Sequence, residues 1–281
     1  MQDVGAIKEI WRYPVKGMAG ERVDVAGLGD AGVVGDRVWA LWDVRRREIQ
    51  SCKVRPALLR CSARTLEGGQ VEITFPDGVV LSSGEERAAI NARLSELVGH
   101  ESRLESLRPA SEEDFFRRYQ PGWREDLEAT FEREPGEPLP AFFDDFPEEA
   151  REFIAAPGSF FLVTTLHVVT TATLAHLRGL NPGADWDVRR FRPNVVIETP
   201  GELDGLIEQD WIGRRLTMGG AVIDCPMSTP RCGATVRAQG DLPADPSVLR
   251  TIVRQADQNL GVYGETAQAG AVRVGDRVIL A

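Results

Sequence analysis

Val71-Glu72-Ile73-Thr74-Phe75-Pro76-Asp77-Gly78-Val79-Val80-Leu81 alternates apolar and polar side chains, stops at Pro76-Asp77-Gly78, and resumes as an apolar run. Period two puts Val71, Ile73 and Phe75 on one face of an extended chain, and the Pro-Asp-Gly turn folds the second run back on the first. The same signature recurs outward from this hairpin. Ile7, Ile10 and Trp11 form a first strand stopped by Pro14, and Val38-Trp39-Ala40-Leu41-Trp42 is apolar enough for a strand buried on both faces. Gly27, Gly29, Gly32 and Gly35 mark a turn-rich stretch between them. Later strands are expected over Phe160 through Val169 and at Val195-Val196-Ile197, with a hairpin from Leu216 to Ile223 around Gly219-Gly220. Val272, Val274, Val278 and Leu280 flank a Gly275-Asp276 turn and close the chain in β structure.

Helices are fewer. Ile90, Leu94, Leu97 and Val98 share a helical face that ends at Gly99. Thr170-Thr171 leads into a helix carrying Leu174 and Leu177, and Asp245-Pro246 is an N-cap with proline at the first helical position. Many short strands with few helices define an α+β, β-dominated fold class: an N-terminal β-barrel-like domain followed by a β-barrel with peripheral helices. Residues 108–158 differ in composition. Their prolines (Pro135, Pro138, Pro140, Pro147) and acids read as a connecting segment with short helical pieces, such as Pro147 to Phe153. Phe115, Phe116, Phe142, Phe143 and Phe146 require that this segment packs on something. The division is therefore 1–107, 108–158 and 159–281.

The formal charge of -10 argues against nucleic-acid or anionic-membrane binding, so an anionic ligand needs a local cation cluster working against the global field. The N-terminus has no basic patch followed by an apolar run, and no stretch approaches the ~20 apolar residues of a membrane span, so a cytoplasmic protein is expected. Four cysteines without C-x-x-C spacing fit a reducing compartment better than a disulfide scaffold or zinc knuckle. His167 and His176 are too few for a zinc-type site, and Cys52, Cys61 and Cys225 read as structural.

Cys232 ends the run Cys225-Pro226-Met227-Ser228-Thr229-Pro230-Arg231-Cys232. A neighbouring guanidinium favours the thiolate, the species that attacks electrophiles or binds soft metals. The alternative for any free cysteine is a small buried hydrophobe. Four cation-bearing stretches sit at strand ends or turns: Tyr13-Pro14-Val15-Lys16-Gly17, Gly35-Asp36-Arg37, Arg189-Arg190-Phe191-Arg192-Pro193-Asn194, and Thr229-Pro230-Arg231-Cys232. Each alone reads as surface charge; together they would form an anion pocket.

These stretches, with Leu166-His167-Val168-Val169-Thr170-Thr171, Gly261-Val262-Tyr263-Gly264-Glu265 and Val274-Gly275-Asp276-Arg277-Val278, resemble in sequence and order the MOSC family, which includes the molybdenum-cofactor sulfurase C-terminal domain and the amidoxime-reducing components. The front third resembles the β-barrel domain that precedes MOSC in the reductases. The resemblance implies a molybdenum cofactor (molybdopterin with molybdenum) between the domains, with Cys232 as metal ligand and catalytic residue. It implies Lys16, Arg37, Arg192 and Arg231 around the pterin phosphate, and Thr229, Asn194 and Thr170 or Thr171 as polar contacts. Family descriptions also associate MOSC with pyridoxal phosphate binding.

On this resemblance the chain reduces small N-oxygenated molecules, hydroxylamines or amidoximes. The C-x₄-C-x₂-C cluster motif that some relatives append is missing from the sequence, so a separate ferredoxin- or flavin-type protein would donate electrons. The membrane anchor of mitochondrial relatives has no counterpart either, and no nucleic-acid or membrane partner is expected. Gly233 to Gly240 departs from the Thr-Thr-x-Asp-type stretch of the reductases, which leaves the substrate open. The alternative is a sulfur-transfer protein carrying a persulfide on Cys232 without metal; a non-catalytic cofactor carrier ranks third.

Overall fold

The computed structural model describes residues 1–144 and 149–281. The N-terminal part contributes β1 (Gln2–Arg12), β2 (Glu21–Val23), β3 (Val25–Gly29), β4 (Gly32–Val33), β5 (Trp39–Asp43), β6 (Glu48–Ile49), β7 (Ser62–Thr65), β8 (Val71–Thr74), β9 (Val80–Ser82), α1 (Arg87–Val98) and β10 (Ser102–Ser106). The connecting segment carries α2 (Trp123–Ala129) and α3 (Glu149–Glu152). Then come β11 (Leu166–Thr170), α4 (Thr171–Leu180), β12 (Val195–Glu198), β13 (Arg215–Met218), β14 (Ala221–Asp224), β15 (Ser228–Pro230), α5 (Pro246–Gln255), β16 (Asn259–Gln268), β17 (Gly270–Arg273) and β18 (Arg277–Leu280).

Seven strands close a barrel in the order β11-β12-β1-β18-β13-β14-β16, with β16 returning to β11. Only β11 and β12 run parallel, joined by α4 as the crossover. The interior is apolar: Ile7, Ile10, Val168, Val195, Leu216, Ile223, Cys225, Val262 and Val278 are among its buried side chains. β1 therefore crosses the sequence division at 107 and belongs to the C-terminal barrel, pairing with β12 and β18. It bends through two bulges, and at Gly5 (φ 133°) a Cβ would overlap the Glu198 carbonyl oxygen.

The N-terminal domain holds two three-stranded antiparallel sheets, β10-β5-β6 and β7-β8-β9, around a second core of Val15, Leu41, Leu58, Ile73, Ile90, Leu94 and Leu104. The quoted hairpin forms as read, Ile73 opposite Leu81. The helix before Gly99 also forms, and Gly99 caps it in the left-handed conformation (φ 79°).

Two expectations change. The glycine-rich stretch is the hairpin β3–β4, and β3 pairs with β17 at the chain's other end. Glycine composition hid the strands because the pairing is supplied by tertiary partners. The expected strand from Phe160 is strand only from Leu166. Residues 160–165 lie instead across the seam between the domains, where Lys16 Nζ donates to the Phe160 carbonyl at 2.5 Å.

In the connecting segment, Phe115, Phe116 and Phe143 are buried, Phe115 stacking on Trp42 at 4.6 Å. The side chain of Phe142, and Phe146 and Pro147, lie outside the described residues. Among the described residues no helix is long and apolar enough to cross a membrane.

Candidate functional site

The backbone itself assembles the cations. Tyr13 to Lys16, leaving β1, runs beside Arg37 to Trp39, entering β5: Arg37 N donates to Tyr13 O (2.8 Å), Trp39 N to Pro14 O (3.0 Å) and Lys16 N to Trp39 O (2.8 Å). Asp36 is the buried centre of this junction. Its carboxylate accepts from Tyr13 N (2.6 Å), Asn194 Nδ2 (2.9 Å) and the Arg37 guanidinium. Asn194 ties the barrel to the same point, with its Oδ1 accepting from His167 N (3.2 Å) and its backbone N–H donating to His167 O (2.8 Å). Two arginines adopt left-handed backbone to aim inward, Arg37 (φ 49°) and Arg192 (φ 54°), a conformation that costs about 1–3 kcal/mol for a non-glycine residue.

Arg37 and Arg192 both stack on the Tyr13 ring, at 4.9 and 4.3 Å from its centroid, and Arg37 also faces Phe161 at 5.1 Å. Burial lowers the proton affinity of Arg192 and Arg231, and they repel each other. Lys16 is pushed down to about 7, first by desolvation and then by the charges of Lys53 and Arg37. His167, buried and near Arg231 and Arg37, is held well below its usual range; its Nε2 lies 3.0 Å from the Leu260 carbonyl, so Nε2 carries the proton of the neutral ring. Burial raises the Tyr13 phenol, which donates to Pro193 O at 3.1 Å.

Among the described residues Asp36 is the carboxylate ion-paired within this group, to Arg37, and several donors are left over. Arg192 Nη1 reaches Met18 O (2.5 Å) and Arg231 Nη2 reaches Phe191 O (2.8 Å). Arg192 Nη2, Arg231 Nε and Thr229 Oγ1 are buried with no hydrogen-bond partner among the described residues. A cavity of about 190 Å³ is lined by Lys16, Arg37, His167, Asn194, Pro230 and Tyr263, among others; Arg192, Thr229 and Arg231 are not in its wall.

Cys232 lies next along the chain and is 8 % exposed, packed with Leu127, Phe131 and Phe143 of the connecting segment. It does not line the cavity, although its neighbours Pro230, Phe131 and Leu162 do. The segment over it is tied down from the barrel side: Gly233 N donates to Thr130 O (2.7 Å), Gln258 Nε2 to Phe131 O (3.1 Å), and Arg250 to Glu132 O (2.6 Å) and Glu137 (2.7 Å).

Residues 160–279 match the MOSC domain and residues 4–110 the MOSC N-terminal beta barrel domain. The chain belongs to the MOSC-domain family. Solved structures similar to it are the YUAD protein from Bacillus subtilis (12 % identity, 98 % of this chain and 94 % of that one, TM-score 0.46), YiiM from Geobacillus stearothermophilus (16 %, 42 % and 54 %, TM-score 0.31) and a hypothetical protein (14 %, 42 % and 50 %, TM-score 0.30). No curated protein matches the chain.

Lys16, Arg37 and Asn194 share one cavity wall, Arg192 stacks with Arg37 on the Tyr13 ring, and Thr229, Arg231 and Cys232 lie around the wall residue Pro230 in the chain without lining the cavity. The MOSC barrel does not bring Thr170 and Thr171 to them. Thr170 caps α4, its Oγ1 accepting from Thr173 N (3.2 Å) while its N–H donates to buried Glu208 (2.5 Å), and Thr171 bonds Thr199 (3.0 Å). Cys61 and Cys225 are core thiols, both pushed up to about 12 by burial.

Asp36 and Tyr13 stood inside quoted stretches without a role. Their signal was a lone acid and a lone aromatic ring among cations. Lys53 gave no signal, because it joins the cavity wall only through the fold.

Proposed function

We propose that the protein is a molybdenum-cofactor-binding oxidoreductase that reduces N-hydroxylated small molecules with electrons from a separate donor protein. The observation that supports this reading is the set of buried, unpartnered donors on Arg192, Arg231 and Thr229; none of the three lines the cationic cavity, whose wall includes Pro230 between Thr229 and Arg231. Each buried donor without a partner costs about 1–3 kcal/mol. A fold that retains three of them around two desolvated guanidinium groups is arranged for an anion. The phosphate-bearing pterin that the family implies fits this donor set, and a cysteine one residue from Arg231 fits a soft metal.

Arg192, Arg231 and Thr229 would hold the phosphate-bearing end, with Arg37 and Lys16 completing the positive wall and Asn194 held rigid by Asp36. Cys232 would supply a sulfur ligand, one residue along the chain from Arg231. Leu127, Phe131 and Phe143 exclude water from the sulfur. The bound group would supply the redox centre at which an N–O bond is cleaved with two electrons and two protons, giving amine or amidine and water. Lys16, with its proton affinity near 7, can hold or release a proton at the cavity wall at neutral pH. Neutral His167 orients the cavity wall through Leu260 and stays out of proton transfer.

The test is protein purified from a molybdate-fed host. Molybdenum by elemental analysis, reduction of a model hydroxylamine with a chemical electron donor, and loss of both in Cys232→Ala are expected. Full activity in Cys232→Ala, or stable sulfane sulfur on Cys232 in metal-free protein, would overturn the proposal.

A further inference from the structure

Lys16, Lys53 and Leu162 are a shared wall: they line the cationic cavity on one side and a second chamber on the other. The second chamber, about 120 Å³, lies between the N-terminal domain and α2. A cavity of about 150 Å³ lined by apolar side chains encloses one benzene ring, so a ring in this smaller chamber sits partly outside it, toward the 47 % exposed Val54 on its wall. Its apolar surface comes from Ile49, Trp123, Leu127, Ile154 and Leu162.

The charges around that surface are unequally matched. Asp43 is engaged by His100 Nε2 (2.9 Å) and Arg55 (3.6 Å). Glu48 accepts from the backbone of Tyr119 (2.9 Å) and Gln120 (3.0 Å), and Asp126 faces Arg46 at 3.8 Å. The acids of the chamber thus have partners, and a further cation of its wall, Arg118, lies over the Trp123 ring at 4.4 Å. Among the described residues, neither Lys16 nor Lys53 has a carboxylate within 4.0 Å. Lys16 donates to the Phe160 carbonyl, and Lys53 has the Phe131 ring at 5.9 Å. An apolar slot that ends at two lysines with no carboxylate partner among the described residues selects a ligand with an apolar body and a negative end.

We propose that this chamber binds a small aromatic acid, one ring bearing a carboxylate, with the ring between Trp123, Leu127 and Ile49 and the carboxylate at Lys53 and Lys16. The ligand then abuts the cationic cavity through the shared wall. Assigning the chamber to the substrate side rests on the proposed function; the binding itself does not.

The probe is para-fluorobenzoate, followed by fluorine NMR line broadening on the full-length protein without metal. Saturable binding with Kd on the order of 1 mM is expected, with para-fluorobenzylamine at least about tenfold weaker. Val54 lines the chamber and is 47 % exposed, so Val54→Trp plugs the slot without disturbing a core, and it should abolish binding. Lys53→Gln should weaken binding about tenfold, the loss of one charge-assisted contact. Cys232→Ala should leave it unchanged.

Equal binding of the amine, retention in Val54→Trp, or no benzoate binding up to about 10 mM would each overturn the inference. Benzoate binding in a protein that never acquires molybdenum would sink the proposed function and leave the chamber standing. Molybdenum without benzoate binding would do the reverse.

Discussion

If the buried donors on Arg192, Arg231 and Thr229 await an anion, inorganic phosphate should stabilise the metal-free protein, and the size of the effect can be worked out. These three donors have no hydrogen-bond partner among the described residues. Charge-assisted hydrogen bonds contribute about 1.5–3 kcal/mol each, so two guanidinium contacts and one hydroxyl contact give at least about 4 kcal/mol, a Kd near 1 mM. At about 10 mM phosphate, ten times that Kd, linkage adds about 1.4 kcal/mol to stability. For a chain of 281 residues that is a rise in Tm of about 2–3 °C. The assay is differential scanning fluorimetry at fixed ionic strength, phosphate against chloride. Arg192→Gln and Arg231→Gln should each halve the shift or more, and the double variant should remove it. A shift that survives in the double variant, or one that chloride reproduces, would refute the reasoning, because the donors would then not be the binding site.

Lys16 carries a pH signature. Its proton affinity falls from 10.5 unfolded to about 7 folded, so between those values the unfolded chain binds the extra proton and stability rises with pH. The penalty is complete below about 7; chemical denaturation from pH 7 to 10 should therefore show wild type gaining stability relative to Lys16→Met, and a flat difference would count against the burial of this ammonium group. Arg250 anchors the cover of Cys232 through Glu132 and Glu137 and is 17 % exposed. Removing that anchor in Arg250→Ala lowers the opening free energy by about 1.5–3 kcal/mol and should speed alkylation of Cys232 about 10- to 100-fold, read by peptide mass spectrometry; unchanged labelling would mean the segment opens elsewhere. Gly5→Ala places a Cβ against the Glu198 carbonyl at a positive φ and should cost more than about 2 kcal/mol in urea denaturation. A loss under about 0.5 kcal/mol would show that the bulge relaxes.

What the sequence revealed follows the range of each interaction. The hairpin at Pro76-Asp77-Gly78, the cap at Gly99 and the Asp245 N-cap were legible because turn chemistry and periodicity are local. The strands β3 and β4 were not, since glycine-rich backbone becomes strand only by pairing with β17. The loop at 160–165 looked like strand because Phe160 and the following apolar residues carry the right composition, yet they pack across the seam. Thr170 was read two ways, as a lead into a helix and as a cofactor contact, and its hydroxyl serves the helix. The cation stretches were legible one by one. Their convergence, and the apolar cover on Cys232, were not, because both depend on contacts between residues far apart in sequence.

Membership of β1 in the C-terminal barrel gives that convergence a physical cause. Tyr13-Pro14-Val15-Lys16 leaves the barrel wall directly from β1, and Arg192-Pro193-Asn194 enters it directly before β12, the neighbour of β1. Trp11 N bonded to Asn194 O at 2.8 Å fixes the two at the same barrel end. Arg37 is then placed by its backbone bond to Tyr13, and Arg231 by its own to Gln258 ahead of β16. Each cation is positioned by main-chain pairing that the barrel core makes rigid. Its side chain is thus preorganised, and little ordering entropy remains to be lost on binding. A cluster held this way cannot relax its mutual repulsion by swinging apart, so an anion between the domains relieves it at once. The N-terminal domain is bound into the site by the same route, because the chain that begins in the barrel must pass Lys16 to reach its own core.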